Sequence, residues 1–141
     1  MTRLEPMARA RYDAWRDASM REYAAEKVAS GNYPDDGSSL DRARAEFDQL
    51  LPDGRETPGH ELLAMIDDEG RDVGHLWITQ EDRPQGRVVF IYDIAVDEAY
   101  RRRGHAQDAL AYAERYAREH DCVGVMLHVF GSNSGARALY L

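Results

Sequence analysis

Residues Val88–His120 read VVFIYDIAVDEAYRRRGHAQDALAYAERYAREH, and this stretch decides the fold. Val88–Val96 is a run of apolar and β-branched residues interrupted by Asp93, the composition of a mostly buried strand. Further on, Ala106, Ala109, Leu110, Ala113, Tyr116 and Ala117 recur at the spacing of one helical face. Between the two lies a short basic turn, Arg101-Arg102-Arg103, closed by Gly104. A strand that feeds a glycine turn and then a helix aims several backbone N–H groups at one point. The helix dipole adds about half a positive charge there. With three guanidinium groups beside it, the turn predicts an anion site, for which a phosphate is the natural guest.

Working outward, Cys122–Phe130 reads as the next strand, and Asn133 precedes a helical spacing of Ala136, Leu139 and Tyr140. Upstream, Glu61–Asp67 and Val73–Thr79 read as strands of a hairpin turning at Asp68-Glu69-Gly70-Arg71. The polar segment Gln80–Gly86, with Pro84, turns the chain into Val88–Val96. Met7–Ser30 is rich in helix formers and stops before Gly31, with Pro6 suited to its first turn. Leu40, Ala43, Phe47, Leu50 and Leu51 give a second amphipathic helix, and Ser38 with Asp41 resembles a capping box at its start. Thr2–Leu4 reads as a short first strand. The order is therefore β-α-α-β-β-β-α-β-α, in one domain spanning residues 1–141.

Composition narrows the class. With 43% hydrophobic and 31% charged residues, the chain fits a soluble globular protein. A formal charge of −8 disfavours nonspecific nucleic-acid binding and suits cationic acceptors such as amines. Cys122 is the single cysteine, so no internal disulfide forms, which fits a reducing cytoplasm. No apolar run approaches the ~20 residues of a membrane span, so no membrane partner is expected. His60, His75, His105, His120 and His128 show no metal-ligand spacing, and no metal is expected.

Arg101-Arg102-Arg103-Gly104-His105-Ala106 fits the pattern (Q/R)-x-x-G-x-(G/A). Set after Asp93-Ile94-Ala95-Val96, opening an amphipathic helix, and followed by Asn133, Ala136 and Tyr140, it resembles the GNAT superfamily of acetyl-CoA-dependent N-acetyltransferases. The resemblance implies an α/β (α+β) fold with a mixed central sheet flanked by helices. It implies acetyl-CoA as co-substrate, its diphosphate on the backbone N–H groups of the turn Arg101, Arg102, Arg103, Gly104, His105, Ala106 and Gln107 with the arginines assisting, and Asn133 bonding the pantetheine or the diphosphate end. Ile94, Ala95 and Val96 would pair their main chain with the pantetheine arm, where this strand splays from the next.

Asp93 would accept the proton of an amine attacking in a ternary complex, since an ammonium has no lone pair to attack with. Tyr140 would protonate the departing thiolate. Tyr12, Trp15, Glu22, Tyr23 and Glu26 would line the acceptor pocket, although a core and a solvated face explain each of them as well. Small amines, aminoglycosides, amino acids and protein N-termini all suit such a site. A family member normally continues past its last helix into two more strands. Without them, the edge of Cys122–Phe130 would stand unpaired, which predicts a homodimer across that edge, a poor catalyst, or both. The rival reading is an acyl-CoA-binding module that does not turn over: a sensor or a truncated remnant.

Overall fold

The computed structural model describes residues 1–129 and 135–140. These fall into two compact units, Met1–Pro6 with Gly59–Leu141, and Met7–Pro58.

The first unit is a sheet of six strands in sequential order. They are β1 (Arg3–Pro6), β2 (His60–Ile66), β3 (Asp72–Arg83), β4 (Gly86–Val96), β5 (Gly124–Val129) and β6 (Gly135–Tyr140). β1 to β4 run antiparallel, β4 and β5 are parallel, and β6 returns antiparallel to β5. The parallel pair needs a crossover, and helix α1 (His105–Glu119) supplies it. Its small residues Ala109, Ala113 and Ala117 are wholly buried against Leu63, Met65, Leu76, Ile78, Val89, Ile91 and Val125. Alanines on that stripe let the helix approach the sheet closely. Each fully buried aliphatic side chain beneath it contributes about 1.5–3 kcal/mol.

Two turns set the strand register. Arg83 faces Gly86 across the two-residue turn Pro84-Gln85. In the β2–β3 turn, the buried Asp67 carboxylate accepts from Glu69 N (2.9 Å), Arg71 N (2.8 Å) and Arg71 Nε (2.8 Å). The N–H of Arg71, above all, holds this carboxyl below its ordinary value.

The second unit holds helices α2 (Arg9–Ala29) and α3 (Ser39–Leu50), followed by a short 3-10 turn at Gly54–Glu56. Tyr12 and Trp15 on α2 are buried, with the Trp15 ring 5.7 Å from Tyr12 and 6.2 Å from Phe47 of α3.

Three local expectations are corrected. Pro6 ends β1, opposite Leu63, instead of opening a helix. Ser38 makes no side-chain cap to its helix: its hydroxyl donates to Asp36 Oδ1, and its oxygen accepts from Arg42 Nε at 2.9 Å. The largest difference is at the end: Gly135–Tyr140 is a strand and not a helix. A helix over six residues leaves its first four N–H groups without partners inside the helix. Pairing with β5, from Val129 opposite Gly135 to Gly124 opposite Tyr140, gives this backbone a ladder instead. The β5 edge expected to stand open is therefore covered by β6, which removes the ground for a dimer across it.

Candidate active site

The site is built where β4 changes character. From Arg83–Gly86 to Ile78–Ile91 the β3–β4 ladder is regular. Then Trp77 faces Asp93, so Tyr92 is an extra residue on β4, a β-bulge. In a regular ladder Asp93 would face Leu76 and share its fully buried side of the sheet, an expensive place for a carboxylate. The bulge turns Asp93 to the other side, beside Trp77. Ile94 and Val96 return to the core side, packed against the cluster under α1.

The β4–β5 ladder ends at the same bulge. β4 pairs with β5 only from Val88–Gly124 to Ile91–Leu127, although both strands continue beyond. Past Ile91, the main chain of Ile94, Ala95 and Val96 pairs with β3 and has no β5 partner among the described residues. The Val96 carbonyl accepts from Arg101 Nε at 3.0 Å. Gly74 lies beneath this segment: a Cβ there would sit 2.3 Å from the Ala95 carbonyl oxygen, so β3 must carry glycine for β4 to lie so close.

Val96 leads through a 3-10 turn, Glu98–Tyr100, into the basic loop. Arg102 (φ 64°) and Gly104 (φ 84°) both take the left-handed conformation, and α1 starts at His105. Its first helical bond runs from Asp108 N to Gly104 O, 3.0 Å, so the N–H groups of His105, Ala106 and Gln107 precede the ladder. Arg101, Arg102, Arg103 and Gly104 are exposed. A Cβ at Gly104 would meet nothing within 4 Å. Glycine is thus required there by φ, and the space above it is open to a ligand. The donors, the positive charge and the open approach fit a diphosphate. The guanidinium groups of Arg71 (5.1 Å) and Arg103 (5.7 Å) lie over the Tyr100 ring.

His105 has a partner that sequence reading did not supply. Its Nδ1 lies 2.7 Å from Thr2 Oγ1, and Thr2 N donates to Asp108 Oδ2 at 3.0 Å. That N–H is the main cause of the lowered Asp108 pKa. The first residues of the chain therefore tie down the start of α1.

Around Asp93 the sheet carries an aromatic stack. Trp77 and Tyr92 lie 4.7 Å apart, and His60 stacks 6.2 Å from Tyr92. Trp77 Nε1 donates to His60 Nδ1 (3.0 Å), and burial lowers the His60 pKa, so its proton sits on Nε2. Tyr92 donates to Glu81 Oε1 (2.9 Å), and burial first, then Glu81, pushes its phenol up to about 12. His75 Nε2 lies 2.8 Å from Asp93 Oδ2. Sequence reading passed over His75; the signal was the hairpin register, legible only once the bulge is counted.

The structure thus brings together Asp93, Ile94, Ala95, Val96 and the Arg101–Gln107 loop along one continuous segment. It does not bring Tyr140 to them. On β6 its backbone faces Gly124, which on its other side faces Val88, so Asp93 lies ~17 Å farther along the sheet. Asn133 lies outside the described residues. Of the helical candidates, Tyr12 and Trp15 are core of the second unit, Tyr23 donates to Glu46 (3.2 Å), and Glu22 and Glu26 are exposed. Cys122 is buried, and that burial raises its thiol pKa. Among the described residues, no group of three or more His, Cys, Asp or Glu is placed to hold a metal ion. No helix among them is long and apolar enough to cross a membrane.

Comparison with known proteins gives the same reading. The sequence model of the acetyltransferase (GNAT) family matches residues 10–141. The uncharacterized N-acetyltransferase YycN of Bacillus subtilis (strain 168) is 38% identical over 138 residues, 97% of this chain and 87% of the relative. The uncharacterized N-acetyltransferase YdgE of the same organism is 29% identical over 137 residues, again 97% and 87%. The crystal structure of YycN superposes with a TM-score of 0.80 at 35% identity, covering 94% of this chain and 84% of that one. A predicted acetyltransferase from Clostridium acetobutylicum, solved with acetyl-CoA, shares the fold, with a TM-score of 0.57 at 15% identity over 95% and 84% of the two chains. With a matching family model and these relatives, this chain belongs to the GNAT family of acetyltransferases.

Proposed function

We propose that this acetyltransferase moves an acetyl group from acetyl-CoA to a primary amine of a small molecule or peptide, the amine attacking directly while both substrates are bound. The observation that carries the reading is the bulge at Tyr92. One extra residue turns Asp93 off the core face just where the β4–β5 ladder ends. The acetyl-CoA-bound neighbour of the same fold supports the choice of donor.

Acetyl-CoA supplies the acetyl group as an activated thioester. The chain's own groups do the rest. The N–H groups of His105, Ala106 and Gln107, with Arg101, Arg102 and Arg103, hold the diphosphate. The β4 main chain at Ile94, Ala95 and Val96 takes an extended arm as an added strand. An N–H on this segment can bind the thioester carbonyl oxygen. Asp93 accepts the proton that the amine must lose, directly or through water, as the new N–C bond forms; the thioester C–S bond breaks and coenzyme A leaves as its thiolate, which takes a proton from water. Much of the acceleration comes from holding the two reactants together.

The test is acetylation of a panel of primary amines (a diamine, an amino-acid amide and a lysine-containing peptide), followed by mass spectrometry. At least one amine is expected to gain an acetyl group, and Asp93→Asn should slow that turnover by about 10²-fold, with acetyl-CoA affinity little changed. Tight acetyl-CoA binding without transfer to any amine would favour a binding module instead.

A further inference from the structure

Asp93 and His75 share one face of the sheet. Because Trp77 faces Asp93, His75 faces Ala95 and stands diagonal to the carboxylate. The 2.8 Å contact joins His75 Nε2 to Asp93 Oδ2. A bond to a carboxylate, which has acceptor sites only, requires the imidazole tautomer with its proton on Nε2. The side chains are 18% and 30% exposed. The bond is therefore sheltered from full solvent competition, while the carboxylate stays partly exposed.

Position separates the two roles. Asp93 is on β4, just past the end of its ladder with β5. His75 is on β3, about 4.8 Å farther from β5. The terminal torsion of an aspartate is broad and selects no single carboxylate direction by itself. A directional bond to one oxygen does select one. The bulge is what permits it: in an unbulged ladder His75 would face Ile94, and Asp93 would lie on the opposite side of the sheet.

We propose that His75 is the positioning residue for Asp93, donating from Nε2 to Oδ2 and so fixing the carboxylate that receives the amine proton. This rests on the reading of Asp93 as proton acceptor. Two variants test it with the same amine panel. His75→Leu removes the donor and should lower kcat by about tenfold or more, with the KM for acetyl-CoA within about twofold. His75→Gln keeps an amide N–H donor and should recover most of the rate. Long-range 1H–15N spectra of the wild-type imidazole provide a readout without turnover, and Nε2 should carry a proton.

Wild-type kcat in His75→Leu overturns the proposal. So does a His75→Gln enzyme as slow as His75→Leu, or an unprotonated Nε2. The two readings fail separately. Full rate in Asp93→Asn removes the proton-acceptor role itself. A slow Asp93→Asn beside a fast His75→Leu removes only the positioning role.

Discussion

Trp77 faces Asp93 across the β3–β4 ladder, while the next residue, Ile78, faces Ile91. One residue of β4, Tyr92, is therefore unmatched, and its removal has a definite consequence. Without Tyr92, Ile91 and Ile94 stay on the core side with Asp93 between them, so the in–out alternation continues in phase. The variant lacking Tyr92 should fold, but as a straight strand. We expect coenzyme A affinity to fall by more than about tenfold, roughly 1.4 kcal/mol. Calorimetry with circular dichroism checks this, and unchanged affinity in a folded variant would separate the bulge from ligand binding.

Gly104 takes φ 84° immediately before α1, with open space where a Cβ would be. A β-branched residue in that conformation costs on the order of 1–3 kcal/mol, or else the loop changes shape. It would also intrude on any ligand held by the loop backbone. Gly104→Val should weaken coenzyme A binding by about tenfold or more while the fold persists. Retained affinity by calorimetry would place the diphosphate elsewhere.

The Asp67 turn gives a pH signature. Its carboxyl titrates below the ordinary 3.8, chiefly because of the Arg71 backbone N–H. A carboxylate with a lowered native pKa stabilises the fold above the unfolded value and loses that contribution as pH falls through the native one. Asp67→Ala should therefore be less stable than wild type at pH 7. The difference should shrink as pH falls from about 5 and vanish once both pKa values are passed. Urea unfolding across that range measures it; a difference independent of pH would mean that packing, and not the charge, is what the turn loses.

Tyr140→Phe discriminates between two settings for the end of the chain. In its β6 setting, opposite Gly124, Tyr140 is removed from Asp93, and turnover should stay within about twofold of wild type. A fall of about 10²-fold would instead support the acid role that the family resemblance implies.

Much of this architecture was legible because its signals are local. Val88–Val96, the arginine-glycine turn and the α1 stripe each announce themselves within a dozen residues. The C-terminal segment misled because Ala136, Leu139 and Tyr140 also satisfy a helical spacing, while the claim of the β5 edge on that backbone is not written in the segment itself. The pairing of His75 with Asp93 was hidden for another reason. Counting back from the Pro84-Gln85 turn sets Asp93 against Leu76, and only the bulge moves it to Trp77. The Thr2 tie to His105 and Asp108 joins residues more than a hundred positions apart, beyond any periodicity argument.

The four-pair seam between β4 and β5 is the only parallel ladder in the described sheet, set beside ten matched pairs between β3 and β4. Short ladders open at lower free-energy cost than long ones, so cooperative opening follows such lines. Amide hydrogens of β5 should consequently exchange with solvent sooner than those in the middle of β3. A molecule bound at the end of this ladder would brace the seam. Deuterium uptake by β5 would then slow on binding while β2 and β3 keep their rates, and the sheet itself would report the occupancy of the site.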